Sequence, residues 1–172
     1  TATGDWLAYD ELDRRYVSVA YYAYVAQLMD SVARVLDKTD DMMHYRQLYH
    51  DIKKEFQQRY VDADGNLNRT TQTAYLLALR LGLLEEAHRQ KACNALREKI
   101  EQNGYRLSTG FVGTGMLNTT LSILGMDDLA YALLLQRENP SWLYSVDQGS
   151  TTVWERWDSY TKEGGFHKHP WN

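Results

Sequence analysis

Proline is nearly missing from this chain. Of its 172 residues only Pro140 and Pro170 are proline, so nothing between Arg14 and Gln136 forbids long helices. Cysteine is scarcer still. Cys93 is alone, which excludes an internal disulfide, and within KACNALREKI it reads as a small apolar packing group. No run of 18 apolar residues occurs, so no segment reads as a membrane-crossing helix. No Lys/Arg cluster occurs either, and the net charge is −4. Neither nucleic acid nor a membrane surface is therefore expected as a partner. A signal peptide is not seen, and the lack of disulfides fits a cytoplasm while leaving a periplasm or the cell exterior open. The abrupt start, TATGDWL, suggests a piece cut from something longer.

What is present is ordinary in bulk and unusual in its rings. The length is about that of one domain, and a chain of this size buries roughly 68–70% of its unfolded surface. Apolar residues make up 44% and charged residues 24%. Tyr (13) and Trp (5) far outnumber Phe (3). Rings with polar tips suit half-wet clefts and interfaces, although a tyrosine-rich helical core is the plainer reading for most of them.

Apolar spacing is helical almost throughout. Val17, Ala20, Tyr21, Tyr24, Val25, Leu28, Val32 and Leu36 mark one stripe of a long first helix. Thr39 or Asp40 is expected to cap a second, with Met43, Tyr45, Leu48, Ile52 and Phe56 along one side, ending near Tyr60 before a DADGN turn. A third helix is expected over about 69–83 and a fourth over about 85–102, stopped by Asn103-Gly104. TGFVGTG (109–115) reads as a glycine-rich loop, followed by helices over about 116–124 and 127–136. Strand signals are nearly absent; Ser141 to Val146 alternates enough for a small hairpin at most. The fold class expected is all-α, with helical hairpins in series and no fixed-period repeat.

The stretch TTVWERWDSY (151–160) carries the most chemistry. It sets Glu155 between Trp154 and Trp157, with Arg156 and Asp158 beside them. A carboxylate among indoles costs free energy unless it has partners or handles a proton. Indole faces beside carboxylates also suit a sugar, whose C–H face lies on a ring while its hydroxyls meet the acids. Plainer readings stand alongside. Glu155 fits a structural carboxylate paired with Arg156 or a distant arginine. Trp154 and Trp157, three apart, fall on one side of a helical turn, as a core anchor does. Asp5 in GDWL fits a turn or cap, and Trp6 a core ring.

Other features fail their tests. DADGN begins like a calcium loop, but the position eleven after Asp62 is Thr73 and not Glu. His167 and His169 form an H-x-H pair with no further ligand in view. VGTG lacks the G-K-[ST] ending of a phosphate loop. Asn68 and Asn118 fit the glycosylation sequon but fall at or in expected helices. His44, His50 and His88 read as helix-surface residues.

Four strings together resemble the α-L-rhamnosidases of glycoside hydrolase family 78: GDWL (4–7), SVAYYAY (18–24), STGFVGTGMLNTTLSILG (108–125) and ENPSWLYSVDQGSTTVWERWDSY (138–160). They stand in the family's order, and the pairing of PSWLY with TTVWERWD is specific. The resemblance implies an (α/α)6 toroid, of which six helices are about half. It implies hydrolysis of terminal α-L-rhamnosides with inversion and without metal or organic cofactor. It puts the general base on Glu155 and a wall of the sugar pocket on Trp6, with Asp5 nearby. The chemistry of the residues themselves adds Trp154 and Trp157 as further walls, and Asp5 or Asp158 as a carboxylate that stabilises the oxocarbenium charge of the transition state. The family's acid motif, of the form RDER, is not in this sequence; ELDRR (11–15) lies on the wrong side of GDWL. A histidine motif that follows WERWD in the family would begin where the chain stops. The expectation is a C-terminal half toroid whose partner is the missing half of the domain. Such a fragment is expected to be inactive alone, to expose apolar surface and to self-associate. Rival functions are another inverting (α/α)6 glycosidase, a sugar-binding helical domain without catalysis, and a scaffold for protein partners.

Overall fold

The computed structural model describes residues 4–161 and 163–168. These form eight helices: α1 (Arg14–Val35), α2 (Thr39–Tyr60), α3 (Gln72–Arg80), α4 (Glu86–Gln102), α5 (Phe111–Thr114), α6 (Leu117–Ile123), α7 (Asp127–Leu135) and α8 (Trp142–Asp147). Among the described residues β-structure is limited to two isolated bridges, Val61 with Leu67 and Tyr160 with Phe166. The fold is all-α, as expected.

Local signals set the helix ends. Asp13 caps α1 by accepting from the Tyr16 amide at 2.9 Å. Its far end is a Schellman turn: Asp37 takes a positive φ and the Lys38 amide donates to the Ala33 carbonyl at 2.9 Å. At the end of α4, Gly104 supplies the same left-handed step, the predicted stop. Thr39 is the first residue of α2 and not its cap; Asp40 and Asp41 fill the first turn, facing the positive end of the helix dipole.

Pairing follows three hairpins, α1 with α2, α3 with α4 and α6 with α7. Their first members adjoin, α1 against α3 and α3 against α6. In α3 every residue from Gln72 to Leu79 is buried, so it is the centre of the core. Tyr16 joins the hairpins. Its ring meets Phe56 and Tyr60 edge-on at 5.0 and 4.6 Å, and its hydroxyl donates to the Ala74 carbonyl at 2.9 Å. The buried Gln72 amide stitches α3 to the next segment. It donates to the Arg106 carbonyl and accepts from the Ser108 amide, both at 3.0 Å. A buried polar side chain satisfied at both ends fixes register instead of costing stability.

Three expectations are corrected. The stripe expected to pack on α1 is largely open: Val25, Leu28, Val32 and Leu36 are exposed, while Tyr16, Ala20, Ala23, Ala26 and Ala33 are buried. The small residues let α2 and α3 approach, so the larger ones are left outside. The second half of TGFVGTG is a helical turn, α5, and not loop. Residues 142–147 form α8 in place of a hairpin, because Ser141 accepts from the Tyr144 amide at 3.1 Å and caps a helix.

Candidate functional site

The site begins with GDWL. Leu7 takes a positive φ and turns the chain back over the loop before α5. Asp5, 1% exposed, lies beneath. Its Oδ2 accepts from Thr73 Oγ1 at 2.5 Å and the Gly110 amide at 2.8 Å; its Oδ1 accepts from the amides of Val112 at 2.7 Å and Gly113 at 3.3 Å. Four donors offset the desolvation of a buried carboxylate. Next to it the Trp6 carbonyl accepts from the Phe111 amide at 3.0 Å. A Cβ on Gly110 would collide with that carbonyl, so glycine is required for this close approach. Asp5 and Trp6 thereby fix the residues 110–115 as a rigid floor.

Over this floor is a cavity of about 570 Å³. The floor side is Leu7, Gly110, Phe111, Thr114 and Gly115; α8 adds Trp142, Ser145 and Val146; residues 150–157 close the rest. Residues 151–159 are irregular, so the expected helical turn carrying both tryptophans is not formed. Trp157 is held by three fixed contacts instead. Its Nε1 donates to the Thr109 carbonyl at 2.9 Å, its carbonyl accepts from Asn139 Nδ2 at 2.7 Å, and its ring meets Trp142 edge-on at 5.9 Å. Trp154 stands edge-on to Tyr144 at 6.4 Å.

Glu155 is half-buried and lines the cavity. It accepts no hydrogen bond and joins no ion pair among the described residues. The structural alternative, a pair with Arg156, is not formed, because Arg156 Nε donates to Asp158 Oδ1 at 2.9 Å. Asp158 Oδ2 lies 3.6 Å from His167 Nε2. Nearby, the Tyr9 hydroxyl donates to Asn139 Oδ1 at 3.3 Å. Burial, then the neighbouring Asp158 charge, push this phenol up to about 12, so it is a neutral donor at physiological pH.

Of the residues singled out in the sequence, Trp154, Glu155 and Trp157 converge on the cavity. Asp5 lies under its floor, and Trp6 and Asp158 stand outside its lining. Trp142, Phe111 and Arg156 join the walls. Trp142 stood in the PSWLY string, yet nothing in the sequence gave it a wall position. No cluster of three or more His, Cys, Asp or Glu suited to a metal ion occurs among the described residues. Of the H-x-H pair, His169 lies outside the described residues.

Paired helices in series beside an indole-walled cleft make this a helical-hairpin (α/α) domain. Residues 1–171 match the family described as the bacterial alpha-L-rhamnosidase 6 hairpin glycosidase domain, and the chain belongs to that family. An alpha-L-rhamnosidase of Streptomyces avermitilis is 44% identical over 164 residues, covering 95% of this chain and 16% of the relative. One from Formosa agariphila is 40% identical over 153 residues, covering 88% and 16%. Among solved structures, the Streptomyces avermitilis alpha-L-rhamnosidase complexed with L-rhamnose superposes with a TM-score of 0.91 at 44% identity, over 96% of this chain and 16% of that one. The Aspergillus terreus alpha-L-rhamnosidase gives 0.89 at 35% identity, over 91% and 18%. This chain thus spans about one sixth of the relatives it matches.

Proposed function

We propose that this chain supplies the proton acceptor and part of the sugar pocket for hydrolysis of terminal α-L-rhamnosides with inversion. The observation that carries the proposal is Glu155: a carboxylate without a partner among the described residues, lining a cavity walled by Trp142, Trp154 and Trp157. In an inverting reaction one carboxyl group protonates the leaving oxygen. A second, roughly 6.5–9.5 Å away, takes a proton from the attacking water. Glu155 is the second. The water is activated as its proton passes to Glu155, and its oxygen attacks the anomeric carbon from the face opposite the departing aglycone. The indoles cover the apolar faces of the sugar, including the methyl that rhamnose carries where other hexoses carry a hydroxymethyl. Asp5 and Trp6 act through the floor they hold, and Asp158 through Arg156. The acid is not among this chain's motifs, so the 172 residues alone are expected to turn over no rhamnoside. It belongs with the remaining hairpins of the six, which would also cover the open stripe of α1. Rhamnose bound to the Streptomyces avermitilis relative supports the substrate class.

The test is Glu155→Gln in an enzyme that contains this chain. The amide keeps the shape but takes no proton, so kcat should fall about 10²–10⁴-fold while rhamnose affinity stays near wild type. Wild-type kcat in that variant would remove Glu155 as the base.

A further inference from the structure

Glu155 and Arg156 are the only charged residues lining the cavity among those described, and the proposed hydrolysis gives a task only to the first. Arg156 is not a loose surface arginine. Its side chain is 18% exposed, and its Nε is held by Asp158 at 2.9 Å. Asp158 is in turn flanked by His167. The grip is on the Nε edge alone. The two terminal nitrogens, Nη1 and Nη2, have no acceptor among the described residues. A guanidinium braced at one edge and open at the other is a pre-organised fork, with little rotamer entropy left to lose on binding.

The charge around the fork decides what it takes. Glu155 and Asp158 outnumber Arg156 two to one, so an anionic substituent would meet net repulsion at close range. Neutral oxygen acceptors meet none, and two neighbouring hydroxyls on a pyranose match the spacing of two parallel N–H donors. We infer that Arg156 is a specificity-determining residue that donates to adjacent hydroxyl oxygens of a neutral sugar, with Asp158 as the positioning residue that holds it. The inference rests on the sugar-site reading above and deepens it. Because Arg156 follows Glu155 directly in the chain, a sugar gripped by its fork is registered against the carboxylate.

The test is a titration of an enzyme that contains this chain, followed by tryptophan fluorescence, with methyl α-L-rhamnopyranoside and its 2-, 3- and 4-deoxy analogues. Wild type should bind the parent glycoside and lose about 10- to 100-fold in affinity for at least one deoxy analogue, as expected for a lost bond to a charged donor. Arg156→Met should weaken the parent by a similar factor and bind that same analogue no worse than the parent. Arg156→Lys keeps the charge beside Asp158 but not the fork, and should behave like Arg156→Met. Asp158→Asn should weaken binding in wild type and add nothing on top of Arg156→Met. Two results overturn the inference while leaving the sugar site standing. One is parent affinity unchanged in Arg156→Met; the other is weakened affinity with wild-type discrimination among the analogues intact. Retained affinity in Arg156→Lys also overturns it, since charge balance alone would then suffice. If the wild-type enzyme shows no saturable response to the parent glycoside, the sugar-site reading falls and this inference with it.

Discussion

Asp5→Asn is the sharpest perturbation the structure offers, because it changes hydrogen bonding and leaves volume alone. Both carboxylate oxygens are occupied: Oδ2 by Thr73 Oγ1 and the Gly110 amide, Oδ1 by the Val112 and Gly113 amides. An asparagine must turn its NH2 toward one of these pairs. Whichever way it turns, two donors lose their acceptor and face another donor. At about 1.5–3 kcal/mol for each charge-assisted bond, the loss is about 3–6 kcal/mol. A domain of this kind has about 5–15 kcal/mol in all, so the variant should be folded but marginal, or unfolded at the low end. Urea denaturation followed by tryptophan fluorescence would show a lower midpoint at unchanged slope. Thr73→Val removes one donor only, leaves the three amide bonds, and should cost about 1–2 kcal/mol. A loss below about 1 kcal/mol in Asp5→Asn would refute the idea that this carboxylate holds the floor together.

Most of the hairpin architecture was legible, since 3.6-residue periodicity and Asn103-Gly104 are local signals. What was hidden depended on residues far apart in the chain. One glycine within the four residues, and another on either side, argue against a helix at α5. The turn forms because the Asp5 carboxylate collects its amides from more than a hundred positions away. The same bonds explain why Asp5 reads as a sugar ligand in sequence and sits buried in the fold. α8 was hidden differently: its cap, Ser141, was visible, but SWLYSV also alternates, and a six-residue segment is too short for period alone to decide. In α1, periodicity marks one apolar stripe, and only packing shows that the alanines face inward while its larger residues stay outside. Glu155 and its flanking indoles were legible because an unusual composition at one point in the chain needs no long-range partner to be noticed. Trp142 reaches the same cavity from another helix, and spacing cannot announce that.

Two further outcomes follow from charge and from the open face. Burial tends to raise the Asp13 carboxyl, but the Arg69 guanidinium and the Tyr16 amide overcome this and hold it below the ordinary 3.8. The stability it confers is present above that value and is lost as pH falls through the lowered one. Asp13→Asn should therefore flatten the acid limb of a stability-versus-pH curve below about pH 4; an unchanged limb would count against the cap. On α1, Val25, Leu28, Val32 and Leu36 form a continuous exposed stripe beside Val35, which is 82% exposed. Contiguous apolar surface beyond a few hundred Å² marks an interaction face. If two copies together covered about 600 Å² of it, the gross gain would be about 15 kcal/mol at 25 cal/mol per Å². Association costs about 4–15 kcal/mol, so the net gain is about 0–11 kcal/mol, and the middle of that range, about 5.5 kcal/mol, is a dissociation constant of about 0.1 mM. Sedimentation should show concentration-dependent association of the 172-residue chain, and Leu28→Glu with Val32→Glu should restore a single-chain mass by placing charge in the face. A single-chain mass at every concentration in the unmodified protein would mean that the stripe is not sticky, and the half-toroid reading of α1 would lose its physical consequence.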